Sequence, residues 1–275
     1  IYIHIPFCRQ ACTYCNFHFS TLQHQNDEMM ESIATEIMLT DDFIAHNEKI
    51  ETIYFGGGTP SILKPEAIDG LLEIIHKKFS VHPLAEITLE ANPDDISKQM
   101  LSAWKKMGVN RLSVGIQSFC EAELKWMNRA HSAAESLSCL DAIQAAGFEN
   151  YSADLIYGSP LQSNEQLQKN AAILFEKKVP HLSCYALTVE PKTALHHLIS
   201  KQKNADVDTG KQAEQFELLL KMMEAHGYEQ YEISNFSLPG FRSSHNSSYW
   251  QRKPYHGYGP AAHSFNGINK RRWNV

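Results

Sequence analysis

Short apolar runs rich in β-branched residues alternate along the chain with longer stretches that carry apolar residues at helical spacing. The runs are bounded by Pro, Gly or Asn and predict strands at residues 1–5, 52–55, 86–91, 111–117, 151–156 and 181–187. The amphipathic stretches predict helices at 28–39, 65–79, 97–107, 133–146 and 164–178. Strand and helix repeated about six times predict an α/β fold with a parallel sheet, curved into a partial (β/α)6 barrel of the TIM type.

Helix start and stop residues support these boundaries. Ser97 precedes one predicted helix and Pro65 lies just inside another. Gly108 and Gly147 follow the ends of two more, where glycine adopts the left-handed cap most easily.

The pattern changes after the sixth strand. A long helix is predicted at 211–226, and an aromatic-rich segment with Gly240, Gly257 and Gly259 follows it. The sequence therefore predicts a barrel core over 1–210 and a post-barrel extension over 211–275.

Length and composition limit the class of protein. The chain has 275 residues with 43% hydrophobic content, enough for one sizeable core. A net charge of −6 without a basic stripe argues against a nucleic-acid partner. No apolar stretch approaches the roughly 18 residues of a membrane span, and peripheral membrane association stays open. Cysteines that form no disulfide framework predict a cytoplasmic protein.

Three cysteines close to the first predicted strand carry the strongest chemical signal. Cys8, Cys12 and Cys15 follow a Cys-x-x-x-Cys-x-x-Cys spacing. One short loop thus supplies three thiolates, whereas a closed iron–sulfur or zinc site usually takes four protein ligands. One metal position is left open to a small molecule, which favours a reaction site.

A zinc site is the alternative interpretation of this loop, with His4 or His18 as the fourth ligand. The other cysteines, Cys120, Cys139 and Cys184, stand singly and form no second Cys-x-x-Cys pair. We expect these three to be small core residues.

Further polar motifs follow the other predicted strands, at the edge where parallel α/β folds bind ligands. A Gly-Gly-Gly triplet at 56–58 ends the second strand, Glu90 the third and Gln117 the fourth, and Asp154 lies on the fifth. Each has a plain structural alternative. The triplet fits a tight turn, Glu90 fits a helix-capping carboxylate, and Gln117 or Asp154 fits an ordinary polar or ion-paired residue.

Taken together, the motifs resemble one family over nearly the whole chain, the oxygen-independent coproporphyrinogen oxidase family of the radical S-adenosylmethionine (SAM) superfamily. They occur in the family's order: Tyr-Ile-His-Ile-Pro-Phe-Cys from Tyr2, Phe-Gly-Gly-Gly-Thr-Pro-Ser from Phe55, Glu-Ala-Asn-Pro from Glu90, Asn-Arg-Leu-Ser-Val-Gly-Ile-Gln-Ser-Phe from Asn110, and Asp-Leu-Ile-Tyr-Gly from Asp154.

This resemblance implies cofactors and residue roles. It implies a 4Fe-4S cluster that chelates SAM and, once reduced, cleaves it to a 5′-deoxyadenosyl radical. Cys8, Cys12 and Cys15 would bind the cluster, and Tyr14 would pack beside the SAM adenine. The positions that match SAM contacts in relatives are Tyr2, Gly57, Gly58, Thr59, Glu90, Gln117, Arg129 and Asp154. Arg129 follows Asn128, where the family more often has glycine.

Two markers within the family favour its HemW-type haem chaperone branch. True oxidases carry a further cysteine where this chain has Phe17, and the preceding Asn16 departs from the aspartate usual in the chaperone branch. His-Asn-Ser-Ser-Tyr-Trp, from His245 to Trp250, matches a motif of that branch. Imidazole is a good axial ligand for haem iron, and Tyr249 and Trp250 offer a flat apolar surface for a porphyrin. Alternatively, His245 hydrogen-bonds in a loop and the aromatic residues pack on the barrel.

Three functions follow as hypotheses. The first is haem binding and delivery to an acceptor protein. The second is anaerobic conversion of coproporphyrinogen III to protoporphyrinogen IX, and the third is radical SAM chemistry on another substrate. The resemblance also implies a C-terminal domain beyond the barrel, most of which we expect to be absent from the sequence up to Val275.

Overall fold

A computed structural model describes residues 1–41, 43–44 and 49–274. Six parallel strands stand side by side in chain order: β1 (Tyr2–Ile5), β2 (Ile50–Gly57), β3 (Val81–Ala91), β4 (Arg111–Gln117), β5 (Tyr151–Tyr157) and β6 (His181–Ala186). The ladders between neighbours are all parallel. This confirms the predicted α/β fold with a parallel sheet. Within the described residues, the strand order is that of an open sheet whose two ends are not hydrogen-bonded to each other.

Helices connect consecutive strands. They are α1 (Asn26–Met38), α2 (Pro65–Lys78), α3 (Lys98–Lys106), α4 (Glu121–Trp126), α5 (Ala133–Ala145), α6 (Asn164–Glu176), α7 (Ala194–Ser200), α8 (Thr209–Ala225) and α9 (Ser244–Trp250). The six predicted helices are present within about two residues at each end. The short helices α4, α7 and α9 escaped prediction because two turns or fewer give too little periodicity.

The predicted helix ends have the expected geometry. The Ser97 side chain accepts a hydrogen bond from the Met100 N–H at 3.2 Å, and Pro65 occupies the first turn of α2. Gly108 and Gly147 have φ angles of 100° and 72°, as left-handed caps require.

Residues after 200 extend the sheet at both ends. Strand β8 (Asn235–Ser237) pairs antiparallel with β6, and β7 (Glu229–Gln230) pairs with β8. Strand β9 (Gly257–Tyr258) pairs parallel with β1 at the other end, while β10 (His263–Phe265) and β11 (Arg271–Trp273) form a separate hairpin. The proposed division at 210/211 falls inside α8 and stays a prediction.

Side chains alternate between two different faces of the parallel sheet. The outward side chains are apolar and form one core with the helices, as Ile3, Ile53, Leu89, Val114 and Leu182 illustrate. The inward side chains are mostly polar: Tyr2, His4, Thr52, Tyr54, Glu86, Thr88, Glu90, Arg111, Ser113, Ser152, Asp154, His181 and Ser183. The barrel therefore encloses a polar interior. Among the described helices, none combines the length and apolarity that crossing a bilayer demands.

Candidate functional site

The cysteine loop follows β1 at the carboxyl end of the sheet and is fixed by backbone hydrogen bonds. The Cys8 N–H donates to the Ser20 carbonyl at 3.0 Å, and the Thr13 N–H donates to the Met127 carbonyl at 3.0 Å. The Leu195 N–H donates to the Thr13 carbonyl at 2.7 Å. Backbone hydrogen bonds thus hold the loop from both sides. Its three cysteines are half-buried and free of disulfides.

Two hydrogen-bond donors point at the sulfur atoms of this loop. Thr59 Oγ1 donates to Cys8 Sγ at 3.4 Å, and Arg129 Nη1 donates to Cys12 Sγ at 3.2 Å. Donors of this kind stabilise negative charge on thiolates and tune the metal that they bind. Burial raises the pKa of Cys8 and raises that of Cys15 to about 11, so these thiols stay protonated at neutral pH without metal. Metal binding would release protons, because the thiolate is the ligand.

The donor set fits a cluster better than one zinc ion. In the part of the chain that the structure describes, no three Cys, His, Asp or Glu side chains converge closely enough to hold a single ion. His4 Nε2 donates to the His18 carbonyl at 2.8 Å, and its Nδ1 accepts from the Tyr2 hydroxyl at 3.2 Å. Both ring nitrogens of His4, one of the two candidate zinc ligands, are therefore occupied. A 4Fe-4S cluster asks only that each thiolate reach a different iron, and Cys8, Cys12 and Cys15 would hold it.

The glycine triplet packs directly against the cysteine loop. The Gly58 N–H donates to the Ile5 carbonyl and the Thr59 N–H to the Phe7 carbonyl, both at 2.7 Å. A Cβ on Gly58 would lie 2.6 Å from the Phe7 oxygen, and Gly57 has a φ of 105°. These positions thus require glycine for close approach and for a left-handed backbone. The tight-turn interpretation and a ligand-binding role are compatible here, because the turn sets the position of the cysteine loop.

Glu90 lies beside the glycine triplet. Its carboxylate accepts a hydrogen bond from the Tyr54 hydroxyl at 2.7 Å and from the Gly57 N–H at 3.2 Å. Burial raises the pKa of Glu90 to about 7, and the charge of Asp154 adds to the effect. The Glu90 carboxylate caps no helix and instead accepts a hydrogen bond from the glycine triplet. A buried acid of this kind favours a cationic ligand next to it.

Arg129 connects three parts of the site. Besides Cys12, its guanidinium donates to Asn92 Oδ1 at 2.7 Å and to the Gly115 carbonyl at 2.9 Å. Its Nε is buried and has no hydrogen-bond acceptor. Gln117, at the end of β4 with a φ of 66°, lies on the same side of Gly115. An unpartnered buried donor beside the cysteine loop fits a carboxylate of a bound ligand such as SAM.

Asp154 and Tyr14 complete the carboxyl-end group. Asp154 faces inward from β5, and burial raises its pKa to about 6 despite the opposing effects of Ser183 and of the Arg111 charge. Tyr14 packs on a small apolar cluster that contains Met127 and Leu195. The structure therefore brings the cysteines, Tyr14, Gly57, Gly58, Thr59, Glu90, Gln117, Arg129 and Asp154 to one end of the sheet. Their roles as ligands of a cluster or of SAM stay predictions.

His245 lies at the opposite, amino end of the strands, on α9. It is 4% exposed, and its Nδ1 and Nε2 lie 2.8 Å from Thr52 Oγ1 and 3.0 Å from the Tyr249 hydroxyl. Burial lowers the pKa of His245 well below its usual value. Glu86 accepts from the backbone N–H groups of Ser244 and His245, both at 3.0 Å, and so fixes the start of the helix. The motif is helical, where a loop was the alternative expectation.

Stacked aromatic rings connect the two ends of the barrel. The Tyr54 ring stacks on the His245 ring with centroids 4.8 Å apart, while the Tyr54 hydroxyl bonds to Glu90. Tyr2 stacks on Tyr54 at 6.1 Å and lies 6.4 Å from His245. Tyr2 thus contacts the aromatic group around α9, and its role as a SAM contact stays a prediction.

Comparison with known proteins identifies the family. A family model described as the radical SAM superfamily matches residues 2–173. The protein named heme chaperone HemW of Bacillus subtilis is 37% identical over 268 residues, which is 97% of this chain and 70% of that protein. The chain belongs to the HemW family of radical SAM proteins. The HemW of Lactococcus lactis is 36% identical over 273 residues, 96% of this chain and 69% of that protein.

A solved structure shares the fold of this HemW family member. Coproporphyrinogen III oxidase (HemN) from Escherichia coli, described as a radical SAM enzyme, superimposes with a TM-score of 0.80 at 23% identity. The match covers 97% of this chain and 64% of that one. The likeness confirms the predicted fold, and the family model assigns it to the radical SAM superfamily. Membership of the superfamily also implies a 4Fe-4S cluster and SAM as cofactors.

Several residues of the site were missed from the sequence. Asn92 orients Arg129, Tyr54 bonds to Glu90, and Glu86 and Arg111 lie inside the barrel. The signal was present as alternation of polar and apolar residues within parts of the strands, such as Glu86-Ile-Thr-Leu-Glu90. Cys139 and Cys184 are core residues as predicted, whereas Cys120 is only half-buried, just before α4.

Proposed function

We propose that this chain binds haem and delivers it to an acceptor protein, and that it carries a 4Fe-4S cluster at Cys8, Cys12 and Cys15 with SAM beside it. The observation that carries the proposal is 37% identity, over 97% of the chain, to a protein named as a heme chaperone. The His-Asn-x-x-Tyr-Trp motif supports it, because α9 turns its aromatic residues to the surface. Trp250 is 60% exposed and Tyr249 is 40% exposed.

The geometry of α9 suggests how a porphyrin would be held. Exposed Tyr249 and Trp250 provide flat apolar area for the ring. Thr52 occupies Nδ1 of His245, and a hydrogen bond at one ring nitrogen orients the other toward a metal. Nε2 now contacts the Tyr249 hydroxyl, so iron ligation by His245 would replace that contact.

Haem titration of two tryptophan variants tests the surface. Trp250→Ala is expected to weaken haem binding because it removes part of the apolar face. Trp273→Ala is the matched control, since Trp273 is 66% exposed but lies on the β10–β11 hairpin. Equal haem affinity in the two variants would contradict a role for α9 in haem binding. His245→Ala tests ligation separately: an unshifted haem absorption band would exclude His245 as the iron ligand.

Transfer itself requires an acceptor. Haem-loaded full chain is mixed with an apo-haemoprotein, and the appearance of the acceptor's absorption band is followed with time. A rate above that of free haem release supports delivery. A rate equal to free release would contradict it.

The oxidase alternative predicts a different product. Its assay combines anaerobically reconstituted protein, dithionite, SAM and coproporphyrinogen III, and scores deoxyadenosine and decarboxylated porphyrinogen. Phe17, where true oxidases carry cysteine, is 66% exposed. We expect no decarboxylation, and turnover beyond one equivalent would make the chain an oxidase.

A further inference from the structure

A cavity of about 210 Å³ lies inside the barrel, apart from the cysteine loop. Its walls reach from Tyr185, near the carboxyl end of β6, to His245 and Tyr249 on α9. The middle is lined by hydroxyl groups on three neighbouring strands, from Ser113 and Ser152 to Ser183. The interior therefore offers hydrogen-bonding groups to a small polar moiety.

Arg111 is the positive charge of this cavity. The residue is 2% exposed, and its Nε is buried without any hydrogen-bond acceptor. Glu86 Oε2 lies 4.0 Å from that nitrogen, which makes an ion pair but is too far for a hydrogen bond. Glu86 already accepts the N–H groups of Ser244 and His245. A buried guanidinium with an unmet Nε–H donor is costly, and a bound anion would satisfy that donor.

The other charged and titratable groups nearby leave room for an anion. His181 lines the same cavity, and burial together with the Arg111 charge lowers its pKa well below the usual value. Glu90 lines the cavity near the carboxyl ends of the strands. Asp154 lies close enough to Arg111 for the positive charge to affect its pKa. Burial raises the pKa of both acids, to about 7 and about 6, which reduces the negative charge that they set against Arg111.

We propose that this cavity binds a carboxylate group of a bound haem or SAM molecule, with Arg111 as the ion-pair partner of that carboxylate. A propionate of haem is the source that the geometry favours, so the inference rests on the proposed function. Ligand pockets typically measure roughly 300–1,000 Å³, so 210 Å³ takes a side chain but not a whole tetrapyrrole. Tyr249 lines the cavity and is 40% exposed, which joins the interior to the surface where the ring would lie. SAM also carries a carboxylate and is the second source.

The test compares haem with its dimethyl ester, in which both propionates are blocked, on the full chain with its cluster. Charge-assisted hydrogen bonds predict a preference for the acid of roughly ten- to hundredfold. Arg111→Gln is expected to lose this preference. Arg242→Gln is the matched control, because it makes the same charge change at a side chain that is 54% exposed and paired with Glu229 outside the barrel.

The outcomes separate the possible sources. Equal affinity of the unmodified chain for haem and its ester, or a preference retained in Arg111→Gln, overturns the propionate assignment. If SAM affinity falls in Arg111→Gln while the haem preference stays, the carboxylate belongs to SAM. If neither changes, the cavity is no anion site. Should Arg111→Gln fail to fold, Arg111→Lys keeps the charge and is expected to retain part of the preference, while the comparison of acid and ester on the unmodified chain needs no variant.

Failure of this inference and failure of haem delivery give different results. A chain that distinguishes acid from ester but transfers no haem contradicts only the delivery function. A chain that transfers haem but binds acid and ester alike contradicts only the Arg111 site.

Discussion

Replacing Glu90 with glutamine should make the folded chain more stable at alkaline pH. Burial raises the pKa of Glu90 from an ordinary 4.5 to about 7. Below 4.5 the acid is protonated in both the folded and the unfolded chain and costs nothing. As the pH rises toward 7, the unfolded chain loses its proton first, so the free energy of unfolding falls until the folded acid also ionises.

The size of this effect follows from the pKa difference. Each pKa unit corresponds to 1.36 kcal/mol, so the raised pKa costs the folded chain about 3 kcal/mol above pH 7. Between pH 5 and pH 8 the change is about 2–3 kcal/mol. Glutamine removes this pH-dependent cost. The Tyr54 hydroxyl and the Gly57 N–H bond to different oxygens of Glu90, so glutamine places its NH2 group opposite one of these donors. The lost hydrogen bond lowers the stability by roughly 1 kcal/mol at every pH.

Urea unfolding of the reduced, metal-free chain measures the difference, followed by tryptophan fluorescence at pH 5 and pH 8. Glu90→Gln is expected to be stabilised by about 2 kcal/mol at pH 8 and to lose that advantage at pH 5. Glu149→Gln, at an exposed position, is the control and should show no such change. If the free energies of unfolding of Glu90→Gln and the unmodified chain differ by the same amount at pH 5 and pH 8, Glu90 does not titrate as its burial requires. The reasoning about a site prepared for a cation would then be refuted.

Two further substitutions test the cysteine loop. Cys12→Ala should abolish the absorbance of a reconstituted 4Fe-4S cluster, whereas Cys120→Ala should leave it intact; a full signal in Cys12→Ala would exclude the proposed ligand set. Gly58→Ala should lower cluster occupancy, because its Cβ would lie 2.6 Å from the Phe7 oxygen and displace the loop. Gly70→Ala meets nothing within 4 Å inside α2 and should stabilise the chain by about 0.5–1 kcal/mol. Similar unfolding curves and cluster yields for the two glycine variants would contradict the packing argument.

Local pattern was enough for the outline of the fold. Strands β4 and β5 were predicted from 111–117 and 151–156 and lie at Arg111–Gln117 and Tyr151–Tyr157. The reason is that a buried parallel strand reads as a short apolar run between breakers, and a packed helix as a 3.6-residue repeat. The edge strands after residue 226 carry too few residues for such a repeat, and their pairing with β6 and β1 depends on the sheet already being formed.

The sequence by itself determined the family, the parallel α/β fold and the cysteine motif, because those features are written in local spacing and in the order of motifs. Tertiary structure alone decided which side chains face one another. It placed His245 at the opposite end of the barrel from the cysteines. It also brought the Tyr54 hydroxyl into hydrogen-bond contact with Glu90 and placed Arg111 in the wall of a cavity. Such contacts join residues 36 to 193 positions apart in the chain, as Tyr54–Glu90 and Thr52–His245 do, so no local pattern encodes them. They arise from strand register and from the polar inward face, which exist only once the strands have paired into the sheet.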